Sequence, residues 1–170
     1  RSPSRGLGDV YKRQALYWVV QLHENFYRNE WDNYTDDITH RFSLDVRKGK
    51  IPILNPEIRG RSPMIKGKIT MNDIDRFAEQ DNLYFNNLQP YIYHSRIPKP
   101  GINMYSFSVA PEKTQPSGSA NMSQYNIVNL YITLDNQKII PEKPARLLVF
   151  AHNYNVLKII SGMGGIVFNS

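Results

Sequence analysis

The chain has 170 residues, 41% apolar and 12% aromatic, without cysteine, which is a one-domain length with apolar content for a sizeable core. That composition excludes disordered, collagenous and disulfide-stapled classes, and with them zinc knuckles, iron–sulfur sites and thiol nucleophiles. The formal charge is +6, and no apolar run reaches the ~20 residues of a membrane-spanning helix.

Half of that charge sits at the start. Residues 1–14 carry Arg1, Arg5, Lys12 and Arg13 against Asp9 alone. The run Asp9-Val10-Tyr11-Lys12-Arg13-Gln14 resembles the translation of a transposon-end adapter used in preparing sequencing libraries. Residues 1–14 are therefore read as a cloning or assembly scar and left out of the fold reasoning. Residues 15–170 keep 17 basic and 14 acidic side chains, too small an excess for a strong nucleic-acid field. On this reading the chain is a fragment.

Leu16-Tyr17-Trp18-Val19-Val20-Gln21-Leu22 is β-branched and aromatic and predicts a strand buried on both faces. Residues 23–40 read as a long ordered loop, and residues 47–63, with three prolines and two glycines, as loop with short extended pieces. Residues 65–71 alternate, with Ile65, Ile69 and Met71 on one face and Lys66, Lys68 and Thr70 on the other, which predicts a half-buried strand. Asn72 or Asp73 is placed to cap a short helical stretch. A helical turn is expected between Asn82 and Leu88, ending before Pro90. Pro98 to Gly101 reads as a turn. Tyr105, Phe107 and Val109 share a strand face, and residues 111–124 form a loop. Val128, Leu130, Ile132 and Leu134 share another strand face. Residues 146–160 are extended, with a bend expected at Asn153-Tyr154-Asn155. Gly162-Met163-Gly164-Gly165 breaks that stretch before a last strand from Ile166 to Phe168. Strands separated by long, proline-rich loops with almost no helix favour an antiparallel sandwich or barrel.

Chemistry-bearing patterns are few. His23, His40, His94 and His152 have no metal-ligand spacing, and His152 fits a satisfied core or interface histidine. Asp73 with Asp75, and Glu79 with Asp81, are paired carboxylates in a polar turn, where capping and solvation explain them better than acid–base catalysis. Gly162 to Gly165 has the glycine density of a phosphate loop, but no helix or Lys-Ser/Thr pair follows it. Ser117 lies in Gln115-Pro116-Ser117-Gly118, a turn with Gly118 at positive φ rather than a nucleophile elbow. Asn33 and Asn121 head glycosylation sequons. Tyr84, Phe85, Tyr91 and Tyr93 near Arg96 and Lys99 invite a single-strand stacking platform, although aromatics in such a protein more often pack loops on sheets.

Three segments carry a stronger message. Asp75-Arg76-Phe77 leads to Tyr84-Phe85-Asn86-Asn87-Leu88-Gln89-Pro90-Tyr91. Then come Gly101-Ile102-Asn103-Met104-Tyr105-Ser106-Phe107-Ser108, Pro111-Glu112 and Gln115-Pro116-Ser117-Gly118-Ser119. Last is Asn153-Tyr154-Asn155 running to Ser161-Gly162-Met163-Gly164-Gly165. In this order the chain resembles, over about residues 15–170, the C-terminal part of the major capsid proteins of nucleocytoplasmic large DNA viruses. Relatives often place Cys and Phe after Gln-Pro-Ser-Gly, near Ala120 and Met122 here, and residues 23–63 match weakly.

The resemblance implies an all-β antiparallel jelly-roll sandwich, with residues 15–170 forming the later part of the second jelly roll of a double jelly roll. It implies a structural protein, not an enzyme, without cofactor or metal. Three copies would form a pseudo-hexagonal capsomer, and capsomers would tile an icosahedral shell with minor capsid proteins. The protein would reside in the virion, be assembled in the host cytoplasm and make no direct nucleic-acid contact. Loops 23–63 and 89–101 are expected to form variable outer or intersubunit surface. The turns at Gln115 to Ser119 and at Gly162 to Gly165 are expected to fix strand geometry. Strands missing from a fragment would leave an unpaired edge and an exposed apolar face, so the isolated chain is expected to fold poorly or aggregate. The competing readings are a jelly-roll binding module for carbohydrate or single-stranded nucleic acid through Tyr91, Tyr93, Arg96 and Lys99, and a cupin-like enzyme, which would need the clustered histidines the sequence lacks.

Overall fold

The structure, a computed structural model, describes residues 12–36 and 60–166. The expectations for residues 37–59, including His40, and for Val167 and Phe168 lie outside the described residues.

Strand β1 (Lys12–Leu22) organises the molecule. Its residues 15–19 pair antiparallel with β5 (Ile102–Ser106), and residues 13–22 pair antiparallel with β8 (Ala145–Asn153). The short β6 (Ala120–Asn121) pairs Lys12 and Arg13. Lys12, Arg13 and Gln14, left out of the sequence-based fold reasoning, thus open this strand. Such pairing runs through backbone N–H and C=O groups and does not depend on where the side chains came from. In the second sheet β2 (Met64–Met71) is central. It pairs along its length with β7 (Val128–Leu134), and on its other edge with β3 (Ile74–Asp75) and β4 (Gln80–Asp81). Strands β9 (Leu157–Ile160) and β10 (Met163–Ile166) form a separate hairpin.

The core lies between the two larger sheets. Leu16, Trp18 and Val20 of β1 cluster with Met64, Ile69 and Met71 of β2, joined by Phe85, Tyr105 and Met122. Val128, Leu130, Ile132 and Leu134 pack against this cluster, as their alternation predicts. Trp18 sits at the centre, fully buried, its ring 5.1 Å from that of Phe85 and its indole N–H 3.3 Å from the Met64 sulfur. The opposite face of β1 is covered too: Gln21 donates to the Trp31 carbonyl, and the Tyr17 ring meets His94. The result is an all-β antiparallel sandwich with only short helical pieces, as expected.

Local chemistry departs from the sequence reading at several points. Asn72 and Asp73 cap no helix. Both take positive φ, 49° and 61°, and form the two-residue loop that pairs Met71 with Ile74. That is the I′ geometry whose twist suits a hairpin. Ile65 is exposed and Met64 takes its inward place, because a bulge between Met64 and Lys66 shifts the alternation. The helical turn does not stop before Pro90. A π-helical turn (Tyr84–Leu88) runs into α2 (Gln89–Tyr93), with Pro90 in the first turn of α2. The stretch after β1 begins with a short helix, α1 (His23–Tyr27). The strand through Tyr105 ends at Ser106, so Val109 is exposed rather than inward. The loop at 111–124 includes β6 and a 3-10 turn (Met122–Gln124). The terminal break sits at Ser161 and Gly162, both at positive φ, while Gly164 and Gly165 lie inside β10.

Candidate assembly surfaces

The two loops expected at an outer or intersubunit surface meet in the structure. Asn25 on α1, almost fully buried, donates through Nδ2 to the carbonyls of Asn33 and Thr35 at 3.2 and 2.9 Å. Asn86 in the π-helical turn does the same for Lys99 and Ile102 at 3.1 and 2.7 Å. A side-chain amide satisfies carbonyls that no strand partner reaches, and so holds each loop in one shape. Lys99 then bridges to Asp32 at 2.7 Å. Gly101, at φ +90°, lies so close to Tyr34 that a Cβ there would overlap the Tyr34 carbonyl. Loops 28–36 and 97–103 form one joined ledge.

The motif residues spread over the body of the fold. Tyr105 is buried in the core, and Phe107 packs on it with ring centroids 5.1 Å apart. The Ser106 N–H donates to Gln89 Oε1, and its hydroxyl to the Ser108 carbonyl at 2.6 Å. The Gln14 carbonyl accepts from both Phe107 and Ser108 N–H groups. Ser117 closes its turn by accepting from the Ala110 N–H at 2.7 Å, and Gly118 takes φ +123°. Gln115 and Pro116 are exposed at that turn. Asn153 ends β8, and Tyr154 and Asn155 occupy the break before β9, where the bend was expected. Of the two sequons, Asn33 is buried with Nδ2 donating to Glu30. Asn121 lies half-buried in a turn where Ser123 donates to its Oδ1.

The stacking platform is not assembled. Tyr91 lies on an apolar shoulder with Leu83, Leu88 and Ile97, Arg96 lines a different cavity, and Lys99 is engaged by Asp32. The paired carboxylates serve the local structure: Asp75 bridges to Lys68 at 3.0 Å, Glu79 to Lys66, and Asp81 accepts from the Leu83 N–H. His152 is exposed on β8 rather than in the core. Among the described residues no group of His, Asp or Glu side chains is placed to hold a metal ion.

Sequence reasoning missed one polar cluster. Glu112 accepts from His94 Nδ1 at 2.7 Å and from the Ser95 N–H at 3.2 and 3.1 Å. The His94 hydrogen bond, then the Ser95 N–H, hold its carboxyl below the usual carboxylate range. Burial, then the Glu112 charge, push the Tyr17 hydroxyl up. Spacing gives no sign of this cluster, because its members come from three separate elements.

The sheet also presents an open apolar face. Leu147, Val149 and Ala151 of β8 register with Val20, Trp18 and Leu16 and so share their inward side of the sheet. Yet Leu147 is 49% and Val149 37% exposed, where Val20 and Trp18 are 2% and 0%. Among the described residues β1 is the only strand paired to β8, which leaves its other edge open. Beyond it stands the β9–β10 hairpin, with Leu157 and Ile159 on one face and Ile160 and Met163 on the other, all exposed. A two-stranded hairpin with two apolar faces is marginal in water and associates with whatever covers it. The chain is therefore expected to self-associate in dilute buffer, read as mass by light scattering. Leu147→Lys with Val149→Lys should shift that mass toward the monomer, and an unchanged distribution would place the sticky surface elsewhere.

An antiparallel sandwich with interlocked loops and an open apolar face has the build of an assembly protein. The family model for "large eukaryotic DNA virus major capsid protein" matches residues 12–165. The chain is 42% identical over 111 residues to the major capsid protein of Chrysochromulina ericina virus, covering 65% of this chain and 19% of that one. It is 36% identical over 157 residues to the probable capsid protein 4 of Acanthamoeba polyphaga mimivirus, covering 92% and 28%. Its fold superposes on a chain of the PBCV-1 virus capsid with a TM-score of 0.71 at 26% identity, covering 95% of this chain and 44% of that chain. The chain belongs to the family of large eukaryotic DNA virus major capsid proteins, and it spans less than half the length of these relatives.

Proposed function

We propose that the chain is a segment of a major capsid protein that builds a virus shell by self-association and catalyses no reaction. On this reading residues 15–170 are the later part of the second of two jelly rolls, and residues 1–14 are an adapter scar. Three copies of the full-length protein form a pseudo-hexagonal capsomer, and capsomers tile an icosahedral shell together with minor capsid proteins. The protein resides in the virion and is assembled in the host cytoplasm. The turns at Gln115 to Ser119 and Gly162 to Gly165 set strand geometry, and the ledge of loops 28–36 and 97–103 supplies outer or intersubunit surface. For sugar attachment the more exposed Asn121 suits better than the buried Asn33.

The open inward face of β8 carries this reading. Leu147 and Val149 occupy core positions of the sheet with no core over them among the described residues, as expected of a piece that is completed by more polypeptide. The charge pattern agrees with a shell rather than a nucleic-acid surface, since Lys66, Lys68, Lys99, Lys138 and Lys143 each face a carboxylate.

Recovering the upstream reading frame and weighing its product by light scattering tests the proposal. A stable trimer of a chain with a further jelly roll upstream is the expected result. A monomer, or a native gene that starts near Arg1, would overturn it and bring forward the binding-module reading.

A further inference from the structure

Two exposed apolar features stand on the chain, and neither covers the other. The first is the β9–β10 hairpin. Its register puts Lys158, Ile160, Met163 and Gly165 on one face, and Leu157, Ile159, Gly164 and Ile166 on the opposite one. Its large apolar side chains are all more than half exposed. The tip has a defined turn, because Ser161 and Gly162, both at positive φ, join Ile160 to Met163 in two residues. Gly164 and Gly165 have no reason within the fold. Neither takes positive φ, and a Cβ would meet only Leu157 Cδ1 at 3.9 Å from Gly164 and nothing from Gly165. Glycine inside a strand weakens it and marks the close approach of another backbone. The second feature is the shoulder of Leu83, Leu88, Tyr91 and Ile97, around a hollow of about 510 Å³. It is held from beneath: Asn86 fixes the carbonyls of Lys99 and Ile102, and Gln89 donates to the Tyr84 hydroxyl at 2.8 Å. At its rim Asp81 accepts from the Leu83 N–H. Among the described residues neither Asp81 nor the hairpin's Lys158 has an ion-pair partner.

We propose that the β9–β10 hairpin of one copy seats, through Ile160 and Met163, in the shoulder of a second copy. A hairpin apolar on both faces needs two covers. The polypeptide that completes the sandwich over β8 supplies one, to Leu157, Ile159 and Ile166, because β8 leads directly into β9. The other face needs a second body, and the same chain carries a preformed apolar seat for it. A knob and a seat at different places on one chain make a head-to-tail contact, which closes into a ring when a rotation repeats it. Gly165 lets the seat approach the strand backbone. Lys158, on the same face, brings an unpaired cation to the unpaired Asp81 carboxylate. Covering Ile160 and Met163 with the four shoulder side chains removes roughly 300–400 Å² of apolar surface from water, which makes an anchor within an interface of standard size. The contact presupposes the capsid reading and names one place where its copies join.

The full-length parent, expressed from the recovered reading frame, tests the seat. Two differently tagged versions are coexpressed, one with Ser161→Cys at the hairpin tip and one with Asn87→Cys beside the hollow, both exposed positions. A short bifunctional maleimide should yield an adduct carrying both tags, above the background of the unsubstituted parent. Two Ser161→Cys copies, or two Asn87→Cys copies, should not couple. Adding Met163→Lys to the hairpin version should cut the mixed adduct about tenfold. The fold tolerates that change, because Met163 is exposed. Four results would each overturn the seat and leave the capsid reading standing: a trimer by light scattering that gives no mixed adduct, coupling between like copies, coupling within a single chain of the Ser161→Cys/Asn87→Cys double variant, or a mixed adduct indifferent to Met163→Lys. A monomeric parent overturns the capsid reading, and the seat with it.

Discussion

Trp18→Ala will cost the fold about 3–5 kcal/mol, a large share of the ~5–15 kcal/mol that holds a typical domain. Trp18 is fully buried between the two sheets, and its ring holds apart Phe85 and Met64. Alanine leaves a void that these neighbours cannot fill, since β1 is pinned on both edges by β5 and β8. Trp18→Phe keeps much of the apolar contact and loses the N–H donated to the Met64 sulfur, so it should cost less than half as much. The urea midpoint of each variant, against the parent chain, measures both effects. An unshifted midpoint for the alanine variant would mean that the two sheets do not close on this residue.

The second large effect lies at the ledge. Gly101→Ala places a side chain at φ +90°, which costs roughly 1–2 kcal/mol for an L-residue, and sets its Cβ against the Tyr34 carbonyl. The overlap is with backbone, so one loop has to move. Moving it breaks the bonds from Asn25 and the Lys99–Asp32 bridge. The total should exceed about 2 kcal/mol, with hydrogen exchange at residues 30–36 rising before the rest of the chain. Gly162→Ala is the matched comparison. Gly162 also has positive φ, +81°, but nothing lies near its Cβ position, so only the conformational part should be lost. Equal losses in the two variants would show that the contact with Tyr34 contributes nothing.

The strands were legible wherever residue type and period agreed. Leu16 to Leu22 and Val128 to Leu134 announce themselves by β-branched runs and strict alternation, and both are strands. The bend at Asn153 to Asn155 follows from three polar turn-formers in an apolar stretch. What local pattern could not show was set by pairing. Ile65 follows the right period, yet a bulge against β7 turns it outward. Asn72-Asp73 is as good a helix cap as a hairpin loop, and only the partner strand decides. Val149 reads as core by its own sequence, and its exposure depends on what lies over β8. Of the candidate surfaces, the loops at 23–63 and 89–101 could be named as loops, and the family resemblance gave them a role. Their fusion into a ledge rests on the Lys99–Asp32 bridge and the close approach of Gly101 to Tyr34, each spanning 67 residues of chain, with no periodic signature. The Tyr17–His94–Glu112 chain spans still greater separations and left no mark at all.

The place of β1 has a consequence for how the chain is made. It is the most enclosed strand, and it leaves the ribosome ahead of every strand that encloses it. Gln21 and its partner Arg146 are 125 residues apart. At about 5–20 residues per second, roughly 6–25 s pass between synthesis of the two. Throughout that interval the β8 edge of β1 has no native neighbour within the emerged chain. Pairing between such distant segments is slow and leaves a nascent sheet open to wrong partners. β1 therefore stands open on each nascent chain until β8 follows, a liability independent of how stable the finished sandwich is.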